Sequence, residues 1–103
     1  MTRQEDPTDL RRQDHDAEAD EAKAREHRRR EEDDLRWLMA HPQGRRIADR
    51  VLSETGIFRS SFNHSGSVMA FNEGKRQIGL WLTAELLEAS PEGYFKLLKQ
   101  GQR

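Results

Sequence analysis

Cysteine is absent from the 103 residues, which excludes disulfide bridges and every metal or redox site built on thiolates. No apolar run approaches the roughly 18 residues that a membrane helix requires. The N-terminus also lacks the hydrophobic stretch of a secretory signal. The chain therefore reads as a soluble protein made in a cytoplasm and used there, or in something assembled there. Aromatics are sparse at 7% of the residues, and none precedes Trp37. The most informative shortage is local. From Met1 to Asp34 the only sizeable apolar side chains are Met1 and Leu10, whereas both tryptophans and all four phenylalanines lie beyond. A segment without apolar side chains cannot build a core; the remainder can.

What is abundant is charge, at 36% of the residues, with a net charge of −1. That near-balance conceals an asymmetry. Residues 1–34 hold 8 Lys/Arg against 13 Asp/Glu, giving −5, and residues 35–103 hold 10 against 6, giving +4. Neither value is large enough to dictate a nucleic-acid or acidic-protein partner. The expected organisation is a disordered tail over 1–16, a charged helical arm over 17–34 and a small helical domain over 35–103. A body of that size buries only about 60% of its unfolded surface, so it gains from a partner.

From Ala17 the composition turns to alanine, glutamate, lysine and arginine, with neither glycine nor proline before Pro42. These are strong helix formers. Glu21/Arg25 and Glu26/Arg30 are opposite charges four apart, each worth about 0.2–0.5 kcal/mol. One long helix to His41, or a new start near Glu32, fits the segment. The Arg28–Arg30 run reads as a solvated face before a nucleic-acid contact, because Glu31 to Asp34 neutralise it. Leu35, Leu38 and Met39 supply an apolar face, Trp37 lies about 100° off it and points towards a partner, and Pro42 ends the helix.

A second helix is expected over Arg45 to Glu54 with Ile47, Val51 and Leu52 inward, closed by Gly56 in the left-handed region. Ile57, Phe58 and Phe62 keep the connection against the core, and residues 59–67 form a loop. Ser67 caps the longest apolar-periodic run, Val68 to Ala89, whose stripe is Val68, Phe71, Ile78, Leu82, Leu86 and Ala89. Gly74 and Gly79 inside it make sense where another helix crosses closely. Ser90-Pro91-Glu92 signals a last helix to about Gln100, with Tyr94, Leu97 and Leu98 inward. No strand pattern of useful length appears. The fold class is all-α, three to four helices with a long charged N-terminal helix.

Chemistry is harder to find. His15, His27, His41 and His64 form no close pair at helical spacing, so no metal site is expected. His64 among Ser60, Ser61, Ser65 and Ser67 offers hydrolase ingredients without the oriented triad a nucleophile needs. Loop chemistry explains them better. No catalytic residue and no cofactor is expected. A helix-turn-helix fits poorly, because about a dozen residues separate the second and third helices where the motif uses 3–4. Arg45, Arg46, Arg50, Arg59, Lys75 and Arg76 could still form a basic patch for backbone phosphates.

The stretches Gly44-Arg45-Arg46, Gly56-Ile57-Phe58 with Ser61-Phe62, Gly74-Lys75-Arg76-Gln77-Ile78-Gly79-Leu80 and Ser90-Pro91-Glu92 carry a resemblance in combination. Residues 35–100 resemble a small domain of unassigned function in tailed bacteriophages, encoded near portal and head-assembly genes. The resemblance implies a virion-associated or assembly protein: portal- or connector-associated, or internal and ejected with the DNA. It transfers no catalytic residues. The expected partners are phage structural proteins, with self-association and non-specific DNA contact compatible with the same surfaces. The binding residues implied by these readings are Trp37, Arg45, Arg46, Arg50, Phe58, Phe62, Gly74, Lys75, Arg76 and Gly79. A small nucleic-acid-binding regulator is the contrasting expectation.

Overall fold

A computed structural model describes residues 10–101. Among them run helices α1 (Leu10–Met39), α2 (Pro42–Glu54), α3 (Gly66–Ala89) and α4 (Pro91–Gln100), and no strand. The all-α expectation holds. Close contacts divide the chain into two units, at Glu31/Glu32.

The first unit belongs to α1, which is a single helix rather than two. It begins at Leu10, seven residues before the expected Ala17. Residues 10–16 are thus helical where a disordered tail was expected, and the rest of that tail, 1–9, lies outside the described residues. Arginine and glutamine there carry low helix cost, and nothing after Pro7 breaks the helix. Its side chains up to Glu31 are exposed, and polar pairs run along it: a His27–Glu31 contact at 2.9 Å and, as charge pairs, Glu21 with Arg25 at 4.0 Å and Glu26 with Arg29. The last replaces the expected Glu26/Arg30 pair, since three and four residues ahead are both within reach on a helix.

The second unit gathers the end of α1 with α2, α3 and α4 around Met39, Ala48, Leu52, Leu86 and Leu97. Leu35, Ile57, Leu82, Tyr94 and Leu98 pack around that centre. α2 and α4, α3 and α4, and α2 and α3 lie against one another. Two proline signals frame the connections. His41 is extended at φ −112°, ψ 137°, as the residue before a proline tends to be. Pro42 then opens α2 at its first position, where a missing N–H costs nothing. The helix therefore starts three residues before the expected Arg45.

The same grammar recurs at Ser90-Pro91, where the Ser90 hydroxyl accepts the Gly93 N–H at 3.1 Å. Ser90→Ala is expected to cost about 1 kcal/mol of unfolding free energy in chemical denaturation. Gly56 closes the corner after α2 with φ +74°, the left-handed position expected of it. At α3 the cap is Ser65, not Ser67: its hydroxyl accepts the Val68 N–H at 3.4 Å, and Ser67 lies within the first turn.

Two guanidinium groups stitch the body. Arg36 donates to the Ala89 carbonyl at 3.2 Å, at the end of α3, while its other nitrogens hold Asp33 at 2.8 Å and Glu32 at 2.9 Å. Arg45 donates to the Met39 carbonyl at 2.8 Å and to Gln100 Oε1 at 3.0 Å, and the Gln100 amide donates back to the Pro42 carbonyl at 3.0 Å. Both occupy helix-terminal carbonyls that would otherwise lack a partner within the helix.

Candidate interaction surfaces

The buried faces of α2 and α3 differ from those the sequence suggested, and the difference creates the candidate site. On α2 the inward residues are Gly44, Ala48 and Leu52, four apart, so Ile47 and Val51 of the expected inner face are exposed. On α3 the inward residues are Gly79, Leu86 and Ala89, with Leu82 half-buried. Val68, Phe71 and Ile78, read as part of one stripe with them, are exposed. Close packing involves the C-terminal half of this long helix. In its N-terminal half no residue is buried, and the loop before it meets one side at Glu73.

Gly79 faces the corner after α2. A Cβ there would collide with the Thr55 side chain and reach Ile57 Cβ at 3.1 Å. This is the close approach expected of a glycine in a helix. Gly74 is the opposite case: a Cβ there would meet nothing within 4 Å. Around it stand Phe71, Ile78 and Trp81, exposed at 66%, 58% and 58%. Positions 71, 74, 78 and 81 follow a three-four-three spacing, which aligns them along one side of a helix. Their common side is an apolar ridge with a notch at Gly74. Phe71 and Ile78 thus continue the stripe of Leu82, Leu86 and Ala89 beyond the stretch that the other helices cover, and Trp81 widens it. An apolar stripe on a helix is ordinarily covered along its length.

The remaining sites inferred from sequence scatter. Trp37 is 67% exposed and lies 4.9 Å from the His41 ring. Phe62 is exposed and meets the His64 ring edge-on at 5.6 Å, and Phe58 is half-exposed. Of that connection Ile57 packs on the core, whereas Phe62, expected to stay against it, does not. The basic residues do not form one field. Arg45 is spent on the backbone ties described above. It shares a depression of about 250 Å³ with Arg46 and Arg50, whose wall also contains Asp49. Arg76 reaches Glu73 at 3.4 Å. Arg59 and Lys75 line a separate polar pocket of about 160 Å³ at the corner between α2 and α3.

Glu73 sits beside that corner. The Ser61 hydroxyl donates to its carboxylate at 2.5 Å, and this bond holds the carboxyl below its ordinary pKa against an opposing effect of desolvation, with lesser help from Arg76 and Gln77. A depressed carboxyl stabilises the fold above its unfolded pKa, and the contribution fades as pH falls through the lower folded value. The tie between loop and α3 is therefore intact at neutral pH. The loop hydroxyls are likewise committed to local structure, Ser65 to the α3 cap and Ser60 to the Phe62 N–H at 3.2 Å. Among the described residues no three His, Asp or Glu side chains gather as a metal site would require.

Comparison with protein families adds one decisive finding. The family model of Bbp19-like phage proteins matches residues 35–99, well over half of the chain. The chain belongs to the Bbp19-like phage protein family. The match covers nearly the whole helical body and none of α1 before Leu35, so the α3 ridge and the basic residues of both depressions fall within the Bbp19-like region. Comparison with curated proteins and with solved structures finds no match. No helix among the described residues of this Bbp19-like protein is long and apolar enough to cross a membrane.

Sequence reasoning missed the ridge as a surface because its residues have the right chemistry for a core. The signal available was the mismatch between length and partners. α3 is 24 residues long, whereas α2 and α4, which cover it, have 13 and 10. Two short helices leave part of the longer one's stripe uncovered.

Proposed function

We propose that this phage protein is a virion-associated or assembly component that acts by protein–protein binding, not catalysis, with the portal or connector of the phage head as its partner. The observation that carries this reading is the solvent-facing ridge of Phe71, Ile78 and Trp81 around the open position at Gly74. Fully burying each of those side chains is worth about 1.5–3 kcal/mol. Aromatic anchors of this kind dominate binding energy in protein interfaces. A notch between large side chains also admits a helix from the partner at close range. Location in the particle, and in the host cytoplasm during assembly, follows from the same proposal, and release with the DNA is one form it can take.

The contrasting nucleic-acid-regulator reading is less well supported. Arg45 and Arg76 are committed within the chain, and Asp49 shares the depression with Arg46 and Arg50. The test replaces Ile78 and Trp81 together by serine and measures incorporation into purified particles, or capture of the portal protein. Incorporation or affinity should fall about 100-fold or more, with the far-UV circular dichroism unchanged. Undiminished incorporation of a folded double variant would remove the ridge from the interface.

A further inference from the structure

The polar pocket at the corner between α2 and α3 is separate from the ridge, and its chemistry points elsewhere. Arg59, Ser60 and Ser61 enter it from the loop, and Asn72 and Lys75 enter it from the first half of α3. No acidic residue lines it. The nearby carboxylate, Glu73, is held instead by Ser61, Arg76 and Gln77. Two cationic side chains thus converge on one cavity without a counter-charge in its wall. Both are positioned by contacts that leave donors free. The Lys75 ammonium lies 5.2 Å from the centre of the Phe71 ring, and one Arg59 nitrogen donates to the Ser53 carbonyl at 3.4 Å. A guanidinium has five N–H donors and an ammonium three, so most remain available to a ligand.

We infer that this pocket binds a single phosphate group, held between Arg59 and Lys75 with further donors from the Ser60 hydroxyl and the Asn72 amide. The volume of about 160 Å³ suits a tetrahedral oxyanion, being on the order of ten times what one enclosed water needs. Donors arrive from the loop on one side and the helix on the other. A phosphate offers three or more acceptor oxygens in different directions, whereas a planar carboxylate would leave donors on one side without a partner. Either a free phosphate or the backbone of DNA could supply that group.

The test titrates the ¹⁵N-labelled full chain with inorganic phosphate, balanced by chloride at constant ionic strength. Saturable shifts are expected at the Asn72 side-chain amide and the Ser60 and Ser61 amides. Lys75→Gln and Arg59→Gln should each raise Kd about threefold to fivefold, the size of an exposed charge contact. Lys96→Gln, on the exposed side of α4, should leave it unchanged. Short duplex DNA that shifts the same amides and is displaced by phosphate identifies the DNA backbone as the source. DNA that fails to compete identifies a free phosphate. Shifts that never saturate, or Lys75→Gln titrating like the parent chain, would overturn the assignment. So would a peptide carboxylate binding more tightly than phosphate.

Discussion

Gly44→Ala should destabilise the helical body by about 3 kcal/mol, the upper end of ordinary overpacking, while Gly74→Ala in the same fold should stabilise it by up to about 1 kcal/mol. The signs differ because the surroundings differ. A Cβ at Gly44 would run into the backbone carbonyl of Leu38, with the Leu38 Cδ1 atom a further 3.0 Å contact. Backbone at the turn between α1 and α2 cannot move aside as the tip of a side chain can. Arg45 fixes that same turn by its bond to Met39 O. At Gly74 the added methyl enters open space, and only the conformational cost of a mid-helix glycine is relieved. Urea denaturation of both variants reads the pair directly. If Gly74 serves to admit a partner, the stabilised Gly74→Ala protein should bind its partner less well, a trade of affinity for stability.

The second large effect is expected at the centre of the core. Leu52, Leu86 and Leu97 are fully buried, and truncating a buried leucine to alanine costs about 2–5 kcal/mol. A body of this size has a total stability of only roughly 4–11 kcal/mol, from the usual contribution per residue. Leu86→Ala therefore removes a large fraction of what holds α3 to α2 and α4. The expected result is a body that is partly unfolded at 37 °C, read as lost protection from amide exchange in α3 and α4. Full protection in Leu86→Ala would mean that the cluster around Leu86 does not hold the helices together.

How much of this was legible in the sequence depended on how local the signal was. Ser90-Pro91-Glu92 and Gly56 act within one turn of the chain, and both ends were read correctly. Pro42 carried the same kind of signal. The sequence shows it as a stop for α1 and not also as the first residue of α2, because Gln43 and Gly44 behind it resemble a loop. Position 44 needs a glycine because α1 passes close at Leu38, which no local pattern discloses. The fold class was legible from composition and period. The inner side of α3 was legible as well, since Leu82, Leu86 and Ala89 of the expected stripe face the core; how far along the helix that stripe is covered was not, because periodicity does not show where neighbouring helices end. Only the positions of α2 and α4 decide that Leu86 is covered while Ile78 is exposed. Arg45 shows the same limit for charged groups. It looked like a ligand contact, yet its guanidinium holds Gln100, 55 residues away.

The reach of α3 beyond its neighbours also governs how this protein can drift. Leu82, Leu86 and Ala89 answer to the molecule's own interior. Phe71 and Ile78, further along the same stripe, do not, and Trp81 lies beside them in the open. Replacements at one end of this segment are therefore constrained by folding, whereas an apolar residue kept at the other end has to be explained by something other than the fold.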